Sequence, residues 1–184
     1  MEKLSPIGWA LRPLKNYANF SGRASRAEFW WFFLLTMILY IAGLVALGVA
    51  GAGASALNPA SAIMQGAFGI GMIFIGLFWL ALFVPMLAVQ FRRLHDINRS
   101  GWWLGAFWLL YLLYAFLAFG MLASAATTVE SAPSVGSAAA VGIIALIFFV
   151  YSIVLLVFFC LPGTKGSNRF GDDPYGANVE EVFA

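Results

Sequence analysis

His95 and Asp96 stand side by side, and Asp172 and Asp173 form a second acidic pair farther along the chain. Brought together, an imidazole and carboxylates supply general acid–base groups, the minimum for an enzyme at a membrane interface. The set is thin. His95 is the only histidine; scattered carboxylates beside one imidazole make a poor metal site, and no paired ligands recur at helical spacing. Gly163-Thr164-Lys165-Gly166-Ser167 has the ingredients of a phosphate loop in the wrong order. A lone histidine of this kind is more often a hydrogen-bonded structural residue. No catalytic residue, metal site or cofactor is therefore assigned. Cys160 is the single cysteine, so no intrachain disulfide can form. At the end of an apolar run, it reads as a buried small hydrophobe.

A second chemistry lies in the arginines. Arg23, Arg26, Arg92, Arg93 and Arg99 are candidates for contact with lipid headgroups or phosphate. Arg binds phosphate through two parallel bonds, and each basic residue near an anionic surface contributes about 1 kcal/mol. Glu28, Asp96, Asp172 and Asp173 are the candidate ion-pair partners in the same polar cap. The plainer alternative is that these arginines only set topology and pair with nearby acids. Nucleic acid is set aside as a partner, because the basic clusters are separated by long uncharged runs.

The charge layout dictates what must position these residues. All 10 Lys and Arg lie within 3–26, 92–99 and 165–169; residues 29–91 carry no charge, and 100–164 carry only Glu130. The chain is 62% hydrophobic with 10% charged residues, against roughly 25% charged in a soluble domain. A charge at the bilayer centre costs several kcal/mol, and basic residues gather in short cytoplasmic loops. The class is an all-α integral membrane protein. A crossing helix needs about 20 apolar residues, so each uncharged segment holds two helices and a turn. The expected spans are 29–50, 67–91, 102–122 and 138–161, arranged as two hairpins. They are flanked by an interfacial segment 1–28, a cytoplasmic loop 92–101 and a cytoplasmic tail 162–184, so both termini lie inside. Residues 29–50 exceed the roughly 7–15 of a signal-peptide core and read as an uncleaved first span.

Several features have structural readings. The run from Gly51 to Pro59 should break the first span, and Pro85 should kink the second. Trp30-Trp31 and Trp102-Trp103 sit where indole rings favour the membrane interface. Ala42, Ala46 and Ala50, like Gly101 and Gly105, recur every four residues and suit close helix packing. Residues 7–17 suit a helix lying along the headgroups, which Pro13 must start or break. Asn98-Arg99-Ser100-Gly101 and Asn168-Arg169-Phe170-Gly171 hint at a parallel repeat of the two hairpins.

The stretches SGRASRAEFWWF, FRRLHDINRSGWW and LPGTKGSNRFGDDPYG resemble the bacterial inner-membrane family called domain of unknown function 805, over residues 17–176. The resemblance implies a four-helix inner-membrane protein and no reaction. Coupled transport would place an ionisable group inside the membrane, whereas the polar side chains in or beside the spans include Thr36, Gln65, Gln90 and Ser152. Transport and interfacial catalysis stand as alternatives. The leading expectation is a non-enzymatic protein of envelope organisation or stress response. Its partners would be anionic phospholipid, another membrane protein or a second copy of itself.

The topology is open to direct measurement. Cysteines at Asn58 and Ser131 should react with impermeant thiol reagents from outside the cell, and those at Asn98 and Ser167 should not. Labelling of Asn98→Cys in intact cells overturns the four-span arrangement.

Overall fold

A computed structural model of the chain describes residues 5–57, 62–127 and 135–174. Among these, no strand forms and five helices follow one another: α1 Pro6–Lys15, α2 Arg26–Leu57, α3 Ala62–Asp96, α4 Trp102–Thr127 and α5 Val135–Cys160. The last four contain stretches long and apolar enough to cross a membrane, Arg26–Val49, Phe68–Asp96, Trp102–Ser124 and Gly136–Cys160. The protein is all-α with four transmembrane-type helices.

The helices outrun the apolar spans. α2 does not break at Gly51 but continues through the alanine-rich run to Leu57. Alanine is the best helix former, and a helical backbone keeps its own polar groups paired where water is scarce. α3 has 35 residues, about 52 Å at 1.5 Å per residue, against a hydrocarbon core of roughly 30 Å. One of its ends therefore stands outside the apolar layer, and the end carrying Arg92, Arg93 and Asp96 is the polar one. Asn58, Glu130 and Ser131 in the two turns, Lys3, and residues 175–184 lie outside the described residues.

The chain divides into two compact units, Met1–Arg93 and Leu94–Ala184. In the first, α2 and α3 approach through glycines: Gly43 faces Ile75, and a Cβ on Gly71 would lie 3.0 Å from Leu47. Ala42 and Ala46, expected at the contact, are exposed instead. One residue along a helix turns the face by about 100°, and the contact stripe passes through Gly43.

Short α1 begins on Pro6 with Ser5 as N-cap, whose hydroxyl accepts the Gly8 N–H at 3.1 Å. It runs past Pro13 to Lys15 rather than starting or breaking there. Only the Trp9 carbonyl loses a helical donor, and the helix ends within a turn.

Residues 16–25 then run as a strap along α3. The Tyr17 hydroxyl donates to the Ala81 carbonyl, Phe20 meets Phe91 edge to face at 5.4 Å, and the Ala24 N–H donates to the Arg92 carbonyl at 3.0 Å. The first bond has a cause in the sequence. Pro85 sits inside α3, has no N–H, and so deprives the carbonyl four residues earlier of its helical partner. That carbonyl belongs to Ala81. Tyr17 supplies the missing donor.

In the second unit α4 and α5 pack through aromatic rings, Phe107 against Phe148 at 5.0 Å and Trp103 against Phe158 at 5.0 Å. The Tyr151 hydroxyl donates to the Trp103 carbonyl at 2.8 Å. Cys160 is exposed, not buried as expected. It falls on the outer side of the last turn of α5.

The Tyr17–Ala81 bond gives a test. Tyr17→Phe should lower stability by about 1 kcal/mol, the net worth of one hydrogen bond, read by equilibrium unfolding in mixed detergent. In a Pro85→Ala background residue 85 regains its N–H, and the same substitution should cost little. Equal losses in both backgrounds would separate Tyr17 from the proline.

Candidate functional site

The polar residues gather into two clusters, one in each unit. The first forms where α2 begins and α3 ends. Ser25 caps α2, its hydroxyl accepting the Glu28 N–H at 3.1 Å. Ser25-x-x-Glu28 is the spacing of a capping box, in which the glutamate usually bonds back to the cap. Here the Glu28 carboxylate turns to Arg92, with Nη1 to Oε1 at 2.8 Å, and both side chains are almost wholly buried, at 5% and 1% exposure. Arg12 of α1 approaches the other carboxylate oxygen at 3.7 Å from a half-exposed position and also lies over the Trp9 ring. Glu28 therefore joins three helices.

The close contact is an ion pair more than a directed hydrogen bond. Glu28 Oε1 lacks a partner of hydrogen-bond geometry, and so do the buried Nε and Nη2 of Arg92. A buried pair of this kind holds by charge, and removal of one member leaves the other uncompensated.

The arginines divide by burial. Arg23, Arg92 and Arg93 are interior, whereas Arg26 and Arg99 are exposed. The exposed Arg26 and Arg99 are the members of the set open to the surroundings. An arginine closed off from solvent cannot reach a headgroup, and Arg92 is already engaged by Glu28. Sequence alone did not separate the two sets, since contacts distant in the chain, such as Glu28 with Arg92, go with the burial.

The second cluster surrounds the end of α3. Asn98 adopts the left-handed conformation, φ 57°. The Arg99 N–H donates to the Leu94 carbonyl at 2.9 Å and the Asn98 N–H to the His95 carbonyl at 3.0 Å. This is a Schellman cap with asparagine in the usual glycine position. The segment after α5 completes it. Thr164 donates to the Asp96 carbonyl through both its N–H (2.9 Å) and its hydroxyl (3.0 Å). Asn168 Nδ2 donates to the His95 carbonyl at 2.9 Å, and Arg169 to the Asn98 carbonyl at 3.2 Å.

Gly163 has a steric reason to be glycine. A Cβ there would lie 2.2 Å from the carboxylate of Asp96, itself 1% exposed. Its position after Pro162 signals a helix stop, but nothing in the sequence reveals the carboxylate pressed against it.

These bonds account for the residues with the most chemical promise. In the loop Gly163 to Ser167, the Thr164 N–H is committed to Asp96, and the Gly166 N–H to Asp173 at 3.3 Å. Both are lost to any phosphate. His95 lies flat against Phe170 at 4.0 Å with a 2° tilt, and Arg169 covers Phe170 at 4.6 Å. Asp172 is exposed. Asn168-Arg169-Phe170-Gly171 closes on itself, with the Asn168 side chain accepting the Phe170 N–H at 2.9 Å. It thus differs in conformation from Asn98-Arg99-Ser100-Gly101, whose asparagine caps a helix. Among the described residues, no group of three His, Cys, Asp or Glu is placed to hold a metal.

Helices and clusters together define a polytopic helical membrane protein whose helix ends are closed by its own strap and tail. A family model described as "Protein of unknown function (DUF805)" matches residues 17–172. The chain belongs to that family. It is similar to "Inner membrane protein YhaI" of Escherichia coli (strain K12), 34% identical over 172 residues, which are 92% of this chain and 98% of the relative. "Inner membrane protein YhaH" of the same strain is 31% identical over 171 residues, 91% and 97% of the two chains. No solved structure matches.

The buried pair should dominate stability at this end. Glu28→Gln or Arg92→Gln alone should cost about 3–5 kcal/mol, and the double replacement less than the sum. Exposed Arg26→Gln should stay within roughly 0.5 kcal/mol. Folded yield and unfolding midpoint in detergent read all four variants.

Proposed function

We propose that the protein resides in the bacterial inner membrane with both termini and residues 92–101 in the cytoplasm. There it serves without catalysis, holding anionic phospholipid or a membrane partner against its basic face in envelope organisation or stress response. The observation that carries this reading is α1. It has no acidic residue in its first turn, Arg12 and Lys15 in its last, and Ile7, Leu11 and Leu14 exposed. Apolar side chains open to the surroundings beside basic ones are the pattern of a helix seated at an anionic interface.

Arg26 and Arg99 extend the same chemistry from the ends of α2 and α3, being the exposed members of the arginine set. Of the acids that would compete with lipid phosphate, Glu28 is taken up by Arg92 and Asp173 accepts the Gly166 N–H, while Asp172 stays exposed. Each free basic charge near an anionic leaflet contributes about 1 kcal/mol, or roughly fivefold in affinity.

Native mass spectrometry in mixed lipid tests the reading. Wild type should retain anionic phospholipid over zwitterionic, and the triple variant Lys15→Gln, Arg26→Gln, Arg99→Gln should lose at least tenfold of that preference with unchanged helix content. Equal retention by both would leave these charges a topological role only.

A further inference from the structure

The α2–α3 hairpin forms a partly open pocket that the lipid-facing reading does not use. One wall is Phe33, Thr36, Met37 and Tyr40, the successive positions of a single face of α2. The other comes from α3, with Trp79, Phe83 and Met86 above Gln90 at the polar end. Its volume is about 120 Å³, and an apolar cavity of roughly 150 Å³ takes up benzene. The space is somewhat smaller than that but open on one side, which leaves room for one aromatic ring and not for two.

Gln90 sets the chemistry. Its Oε1 is buried without a hydrogen-bond partner, an arrangement that costs about 1–3 kcal/mol unless something satisfies it. The nearby Thr36 hydroxyl donates to the Phe33 carbonyl at 2.8 Å and so offers only lone pairs. A lipid tail would fill the space and leave the amide orphaned. A lone water could bridge the Gln90 amide and the Thr36 lone pairs, but it would leave most of the apolar wall uncovered. A hydroxyl both donates and accepts, so it serves the Gln90 amide whichever way the amide is turned.

The remaining walls favour a flat ring. Tyr40 and Trp79 stand edge to face at 4.7 Å across one side, and methionine sulfur makes favourable contacts with ring edges. Small-molecule sites between helices share this make-up, mostly apolar with a single orienting polar group. We propose that the α2–α3 cavity is a binding site for a single-ring aromatic molecule bearing one hydroxyl, with the ring among Met37, Tyr40, Trp79 and Met86 and the hydroxyl on Gln90.

Fluorine NMR on the full-length protein in lipid nanodiscs tests this with 4-fluorophenol and fluorobenzene, against empty nanodiscs. Wild type should bind 4-fluorophenol saturably, and fluorobenzene about 3- to 10-fold more weakly, the worth of one hydrogen bond. Gln90→Leu should bring 4-fluorophenol down to the fluorobenzene level and leave fluorobenzene unchanged. Leu82→Trp, which fills the cavity, should abolish both; if it does not fold, Gln90→Leu decides alone. Uptake no greater than in empty nanodiscs overturns the proposal, and is what a resident lipid tail or a second copy of the chain would give. Undiminished 4-fluorophenol binding by a folded Gln90→Leu protein overturns it equally.

Discussion

A carboxylate almost closed off from solvent must find a cation, and Glu28 finds Arg92. That constraint organises the first unit. It joins the start of α2 to the end of α3, and it draws Arg12 of α1 to the same point. The pair is costly to assemble, because two ions lose their hydration and their remaining hydrogen-bonding groups are incompletely matched. Its value is geometric. With both helix ends fixed, the strap can lie along α3.

The polar end of α3 follows a related rule. The last carbonyls of any helix lack internal donors. In α3 they are met from two directions, by its own turn at Asn98 and by Thr164 and Asn168 from the segment after α5. Residues with catalytic potential are absorbed in this arrangement. His95 becomes one layer of a stack with Phe170 and Arg169, and Asp96 a packing surface for Gly163.

What was legible in the sequence was what the bilayer penalises. Charges cannot be spread along a span, so four helices and their polar ends were readable from the positions of Lys and Arg. The Ser25 cap went unread, although its spacing of three to Glu28 is that of a capping box. The fate of each arginine was not. Arg92 and Arg99 look alike in sequence, and only contacts distant in the chain, such as the ion pair, go with one being interior while the other stays exposed. The end of α2 was missed for a different reason: the small and polar run after residue 50 reads as a break, although alanine favours the helix on backbone grounds. The Gln90 amide was noted as a polar group near a span end, but its cavity depends on how α2 and α3 face each other.

The bond from Tyr17 to Ala81 also orders events in time. Its partners lie 64 residues apart, so the strap cannot dock until α3 has been synthesised and inserted. Until then α1 can already pack on α2, but the strap has no helix to lie along. The strap is thus the last piece of its unit to settle. Closure of that unit becomes a checkpoint on completed insertion, since a hairpin whose second helix is misplaced offers the waiting strap nothing to fasten to.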